Sequence, residues 1–267
     1  MKGNRIFIKQ WIPPAFLKIL RNIGGSVTWS GNYSSWAEAR AASTGYDSHV
    51  ILEKVQASLL KVKKGEVAYE RDSVLFDEIR YSWPLLAGLM WIAALGEGKL
   101  NVLDFGGSLG SSYYQNRKFL ETLPLVHWSI VEQKAFVKAG RKCFENDALK
   151  FYSNIDSCLK QRSPNSIILS GVIQYIEDPY ALLERLTSLR FEYILFDRTP
   201  FITGKRDRLT IQKVSPEIYQ ASYPCWFFAK DRFRAFFYDN YETVAEFEGL
   251  DIANITSTFD GCILRRR

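Results

Sequence analysis

The chain of 267 residues is 47% hydrophobic and 24% charged, enough for a sizeable core and too apolar for a disordered segment. Its longest uncharged apolar run, Tyr81 to Leu95, contains Pro84 and is shorter than the ~18–20 residues of a membrane-spanning helix. The formal charge of +6 is unevenly placed. Lys2, Arg5, Lys9, Lys18, Arg21 and the closing Arg265, Arg266 and Arg267 supply +8, which leaves −2 for the body and argues against a basic nucleic-acid groove.

The opening "IFIKQWIPPAF" is interrupted by Lys9 and two prolines and has no small-residue cleavage site, so no secretion signal is read and a cytoplasmic location is expected. Its basic and aromatic character suits peripheral contact with an anionic membrane at the inner face. Cys143, Cys158, Cys225 and Cys262 have neither paired nor zinc-ligand spacing, and the chain has two histidines. Free thiols and no metal are expected.

Helices are expected over Ser35 to Ser43, over Ser48 to Lys64 ending before Gly65, and over Ser73 to Leu95 with a kink near Pro84. Residues 1–97 thus read as a helical cap and substrate region. From residue 98 the texture changes. The short apolar runs "LNVLDF", "WSIVEQ", "LKFYS", "SIILSG" and "YILFDR" alternate with helical stretches, the rhythm of a doubly wound α/β domain over 98–267. "YETVAEFE" and "GCILRR" read as an antiparallel addition at the sheet edge. Residues 198–228, rich in Pro, Tyr, Trp and Arg, form an insertion too long for an ordinary crossover, placed where parallel strands deliver ligands.

"VLDFGGSLGSSYY", residues 102–114, puts an acid and three glycines directly after an apolar strand. Glycines there let backbone N–H groups approach a ligand. The nicotinamide fingerprint fails, because Ser108 and Ser111 stand where its second and third glycines would fall. The P-loop fails for want of Gly-Lys-Ser/Thr. What fits is acid-x-Gly-x-small-x-Gly, Asp104 to Gly110, the first motif of Rossmann-like methyltransferases that bind S-adenosylmethionine, with Ser108 in place of the usual middle glycine. Glu132, at the tip of "WSIVE" and 28 residues beyond Asp104, is suited to accept both ribose hydroxyls.

"WSGNYSSWAEARAASTGYDS", "YERDSVLFDEIRYSWPLL", "VLDFGGSLGSSYYQNRKFL", "LSGVIQYIEDPY" and "DRTPFITGKRDRLTIQKVSPEIYQASYPCWFF" together resemble a family of bacterial methyltransferases associated with O-antigen and capsule polysaccharide synthesis genes. The resemblance spans about Trp29 to Phe228. It implies a Rossmann-like class I methyltransferase, with a mostly parallel sheet, an antiparallel C-terminal edge strand and an N-terminal helical cap. It also implies S-adenosyl-L-methionine as cofactor and a sugar, nucleotide-sugar or lipid-linked glycan as acceptor. Carried over residue by residue, Asp104, Gly106, Gly107, Ser108 and Gly110 would shape the methionine side, and Glu132 and Gln133 the ribose and adenine. Asn154 and Ile155 stand where many relatives have Gly-Asp, which leaves the adenine amino group to the backbone or to Asp156. Ser170 and Gly171 would leave room for the transferring methyl.

For acceptor activation the candidates are Tyr175, Asp197 and His49. Tyr175 is read as orienting the nucleophile or touching the cofactor. The acceptor pocket is expected from Trp29, Tyr33, Trp36, Tyr46 and Asp72 of the cap and from Arg206, Arg208, Tyr219, Tyr223 and Trp226 of the insertion. Aromatics suit sugar faces, and arginines suit phosphate or carboxylate. Three alternatives stay open: methylation of nucleic acid, methylation of another small molecule, and a non-catalytic interaction module on the same fold.

Overall fold

A computed structural model describes residues 27–45, 48–71, 74–216, 220–249 and 251–267, with the side chains of residues 48–50 outside the description. The basic arm and Tyr46, Asp72 and Tyr219 therefore lie outside the described residues, as does the side chain of His49.

Five parallel strands build the centre: β4 (Lys99–Phe105), β5 (Leu125–Val131), β6 (Leu149–Tyr152), β7 (Ser166–Ser170) and β8 (Tyr193–Ile202), in the order β6-β5-β4-β7-β8. The hairpin β11 (Tyr241–Glu248) and β12 (Thr258–Arg266) closes the sheet, β12 running antiparallel against β8. This is the expected Rossmann-like α/β architecture, a mostly parallel sheet with an antiparallel closing strand. The order reverses between β4 and β7, and that reversal opens a crevice at their carboxyl ends.

The central strands are buried on both faces, so adjacent residues serve different cores. Val102, Ile168 and Leu195 join one cluster, which includes Leu85 and Leu89. Leu103, Ile167 and Ile194 join the other, with Leu183 and Phe196. The first cluster is covered by α2 (Ser48–Lys64), α3 (Trp83–Leu95), α4 (Ser111–Leu120) and α5 (Lys134–Cys143), and the second by α6 (Ile155–Leu159), α7 (Pro179–Ser188) and α8 (Lys230–Ala235). A short helix, α1 (Trp36–Ala41), is capped by Ser35, whose hydroxyl accepts from Glu38 N.

Two expectations need correction. The helix expected from Ser73 begins only at Trp83, and Pro84 sits in its first turn, where a missing N–H costs nothing, rather than at a kink. The region before it is not wholly helical. It contains β1 (Thr28–Tyr33) and a separate hairpin of β2 (Tyr69–Arg71) and β3 (Val74–Phe76).

The insertion also has more order than an irregular loop. β9 (Arg208–Lys213) and β10 (Ser222–Ala229) pair antiparallel, and β1 adds to the free edge of β9. The point of attachment is informative. β7 accompanies β8 up to Asp197, and β10 pairs with β8 at Phe201 and Ile202. The three-stranded ribbon thus takes over where β7 stops and stands as a wall beside the crevice. Between the two partners, Arg198 adopts φ 54° and the register against β12 shifts, a bulge at the mouth of the site.

Candidate active site

The crevice opens into a cavity of about 1650 Å³. Its floor is the turn after β4. Gly106 has φ 69°, and a Cβ there would meet Val172 Cγ2 at 2.3 Å. At Gly107 a Cβ would meet the Asp104 carboxyl carbon at 2.5 Å. The acid is folded beneath the loop it precedes, and only a side chain of hydrogen leaves it room. Ser108 has φ 54°, the left-handed region, so the serine occupies a position that favours glycine. Gly110, at φ 107°, caps the N-terminus of α4.

Asp104 is 1% exposed and its Oδ2 accepts from Trp128 Nε1 at 3.0 Å. Burial pushes its carboxyl up to about 7, against the lowering effect of that bond and with a further rise from the nearby Glu132 charge. Glu132, at the tip of β5, accepts from the Gln133 backbone N–H at 2.6 Å and from the Ser108 backbone. Burial raises its pKa despite those bonds. Gln133 is exposed at the rim. Asn154 caps α6, its Oδ1 accepting from Ser157 N at 2.8 Å. Ile155 is buried behind it, and Asp156 is exposed and tied to Arg185 Nη2 at 2.6 Å.

Of the residues expected around a cofactor, Asp104, Gly106, Gly107, Ser108, Glu132, Gln133, Asn154, Ile155, Ser170 and Gly171 all line this one cavity. Gly110 does not line it and acts through the helix cap. Asp197, at the end of the β7-paired part of β8, lines it as well. Its Oδ2 accepts from Ser170 Oγ at 2.9 Å and its Oδ1 from Ser82 Oγ at 3.4 Å. Burial is the largest influence and pushes its carboxyl up, opposed by the Arg198 charge and the Ser170 bond.

The acceptor side departs further from the sequence reading. Tyr175 and Tyr223 line the cavity with Trp29 and Trp36, whereas Tyr33 packs away from it against Leu209, Ile211 and Ala39. Arg206 is exposed in the turn before β9. Arg208 donates through Nε and Nη2 to Gly31 O at 3.0 and 2.8 Å and lies outside the cavity. Neither arginine is placed to hold an acceptor, because strand pairing of β9 with β1 commits that end of the ribbon to the outer edge. Trp226 stacks on Trp36 with ring centroids 6.3 Å apart and donates to Ile176 O. It supports the wall from behind.

Several lining residues escaped the sequence reading. Gln212 of β9 is 6% exposed. Its Oε1 accepts from Trp29 Nε1 at 3.0 Å and from Tyr175 Oη at 2.8 Å, and its Nε2 donates to Tyr223 Oη at 3.2 Å. One amide thus fixes three aromatic side chains on the cavity wall. Arg71 and Arg198 share Asp251, at 3.4 and 3.9 Å, and the Arg198 guanidinium lies over Gly171, where a Cβ would come within 2.7 Å of Nη2. Glu70 of β2, 1% exposed, accepts from Ser111 Oγ at the start of α4. No short motif could have flagged these residues, since their partners are distant in the chain.

Among the described residues no cluster of His, Cys, Asp and Glu could hold a metal ion, and no helix is long and apolar enough to cross a membrane. The four cysteines are free.

No family model matches the chain, and no curated protein matches it. Solved structures with a similar chain course do exist. The N-terminal domain of EvdMO1, crystallised in the presence of SAH and D-fucose, is 12% identical at a TM-score of 0.47, over 80% of this chain and 96% of that one. CalS10, an amino pentose methyltransferase from Micromonospora echinaspora with bound SAM, is 12% identical at 0.44, over 70% and 92%. Magnesium protoporphyrin IX methyltransferase from Synechocystis PCC 6803, with bound SAM, is 13% identical at 0.45, over 94% and 96%.

Proposed function

We propose that the chain is an S-adenosylmethionine-dependent methyltransferase whose acceptor is a hydroxyl-bearing sugar or glycan intermediate. The observation that carries the cofactor half is the set of carboxylates around the glycine turn. Asp104, Glu70, Glu132 and Asp197 all line the cavity, three of them buried. In dinucleotide-binding folds the pyrophosphate rests on the N-terminus of the helix after the first strand. Here that helix start already carries a carboxylate, Glu70 on Ser111. A diphosphate would meet repulsion, whereas a sulfonium and an ammonium would be welcomed.

The residues fit such a cofactor. The turn at Gly106 and Gly107 leaves a cradle that a Cβ would fill, and Glu132, which lines the same cavity at the tip of β5, would accept the ribose hydroxyls. When bound, S-adenosylmethionine supplies an electrophilic methyl group on a positively charged sulfur. The chain's part is to hold, orient and deprotonate. Ser170 is small, and Gly171 beside it at the end of β7 admits the Arg198 guanidinium. Asp197, made more basic by burial, is the group to take the proton of an acceptor hydroxyl, with Ser170 and Ser82 fixing its orientation. Tyr175 gives its own proton to Gln212, an amide that cannot take it further, which makes Tyr175 an orienting group.

The acceptor half rests on the aromatic and amide wall of Trp29, Tyr175, Gln212 and Tyr223, which offers ring faces and hydroxyls but no charge. In this reading residues 1–97 and the insertion 198–228 hold the acceptor, residues 98–267 otherwise hold the cofactor, and cell-surface polysaccharide assembly is the source implied by the sequence resemblance. The test is calorimetric titration with S-adenosylmethionine, S-adenosylhomocysteine and NAD. Micromolar binding of the first two and none of NAD is expected, and the reverse pattern removes the proposal.

A further inference from the structure

The geometry points to a second saccharide subsite on the cavity wall, where Trp83 and Tyr81 take the C–H face of a sugar ring and Arg80 donates to its oxygens. The acceptor is then a chain of at least two sugars, not a lone monosaccharide. The inference rests on the glycan reading above and deepens it by naming the length of the acceptor.

The segment leading into α3 is fixed at three points. Gln115 Nε2 of α4 donates to Arg80 O, Ser82 Oγ to Asp197 Oδ1 at 3.4 Å, and Leu86 N to Ser82 O at 2.9 Å. On this frame the rings of Tyr81 and Trp83 lie 4.7 Å apart, and both meet Phe119 edge-on, at 5.3 and 5.9 Å. The cluster holds the indole without covering it. Trp83 stays 59% exposed, the most of any large apolar side chain among the described residues, and Tyr81 is half-buried. Both line the cavity. Single exposed apolar side chains are ordinary on a protein surface. A tryptophan pinned by two other rings inside a cavity is a different case, because the order that stacking demands is in place before a ligand arrives.

The surroundings select a sugar as the occupant. Ser82, bonded to the proposed base Asp197, is the chain neighbour of Trp83, and consecutive residues lie about 3.8 Å apart. A sugar whose hydroxyl reaches Asp197 therefore brings the next sugar within reach of the indole. Its C–H groups, slightly positive, suit the negative face of an aromatic ring. Arg80 lines the same cavity, is exposed, and makes no hydrogen bond or ion pair through its guanidinium with a described residue; its neighbour is the Phe76 ring at 5.9 Å. Such a fork of donors beside aromatic rings matches hydroxyl and ring oxygens, whereas an alkyl chain would leave it unmet.

The test applies the full chain, fluorescently labelled and in the presence of S-adenosylhomocysteine, to a printed array of bacterial mono- to tetrasaccharides. Disaccharides or longer chains should bind at least ~10-fold more tightly than their terminal monosaccharides. For the best array ligand, Trp83→Ala should weaken binding at least ~5-fold, Trp83→Phe should recover most of that loss, and Arg80→Gln should cost about 3-fold. Calorimetry should find S-adenosylhomocysteine affinity within twofold of the parent in all three. Monosaccharides bound as tightly as oligosaccharides, or full saccharide affinity in Trp83→Ala, overturns the subsite. So does a parent that binds S-adenosylhomocysteine but no saccharide on the array, or one whose Trp83-dependent binding is to phosphatidylglycerol vesicles instead. A loss of S-adenosylhomocysteine affinity in Trp83→Ala would move the indole to the cofactor and also overturn it. A parent that does not bind S-adenosylhomocysteine removes the cofactor reading itself.

Discussion

The two halves of the cavity are built by different means. Around the glycine turn the cavity is lined by backbone: Gly106, Gly107 and Ser108 lie in the turn between β4 and α4, and Ser170 and Gly171 at the end of β7 are small. Across the crevice the wall is made of side chains, and Trp29, Tyr175, Gln212 and Tyr223 converge from β1, the turn after β7, β9 and β10. A site made of backbone tolerates almost no added atom but is indifferent to most side-chain chemistry nearby. A wall made of side chains behaves the other way, so its specificity can be rewritten by single substitutions without disturbing the fold.

The sharpest way to break the backbone half is Gly106→Val. Its first added atom would collide with Val172, and its φ is one that β-branched residues avoid. Cofactor affinity should fall at least ~100-fold by calorimetry, with the amide-linked wall unchanged as judged by tryptophan fluorescence. Retained micromolar binding would show that the turn is not the cofactor's seat.

A smaller effect separates fold from function within that half. The Asp104 carboxyl, raised by burial from its ordinary 3.8 to about 7, holds its proton more tightly in the folded chain than in the unfolded one. Its contribution therefore favours folding most below pH ~4 and is lost as pH rises through 7. Asp104→Asn keeps an oxygen for Trp128 Nε1 and cannot ionise. The variant should match its parent near pH 4 and exceed it at pH 8 by about 2–4 kcal/mol in urea unfolding, while binding cofactor less well. An identical pH profile in both proteins would exclude Asp104 as the titrating group.

The side-chain wall should respond to Gln212→Leu, which removes the shared partner of three aromatic groups. Once an acceptor is in hand, KM should rise about 10-fold, whereas S-adenosylhomocysteine affinity should stay within twofold. A loss confined to cofactor binding would place Gln212 in the wrong half. The smallest effect belongs to Arg208→Ala. Its guanidinium is bonded to Gly31 O at the outer edge, so unfolding should show a loss under about 1 kcal/mol with KM and kcat unchanged. A raised KM would restore the residue to the acceptor site.

The difference between the halves also explains what the sequence could disclose. Asp104 to Gly110, Glu132 and the alternation of short strands with helices are local patterns, and the parallel sheet and glycine turn follow from them. The ribbon was less legible, because β1 and β9 pair across about 180 residues and "RLTIQK" looks like any half-polar strand. The same distance hid Gln212 and misplaced Arg208: a pattern shows that an arginine is near a ligand-binding edge but not which way pairing turns it. Glu70 stands in the quoted "YERDS", just before the helix expected from Ser73, and the hairpin it belongs to leaves only three-residue strands as its signature.

The sharing of β8 bears on how the cavity exchanges its contents. The β1-β9-β10 ribbon is hydrogen-bonded to the far end of a strand whose near end is central to the sheet. Moving it aside means breaking strand pairs, each bond replaced only by water. The β2–β3 hairpin pairs with no strand of that sheet among the described residues and is held there by side-chain contacts and ion pairs such as Arg71 with Asp251. Of the two walls, the hairpin is the one whose displacement would break no strand pair of the main sheet.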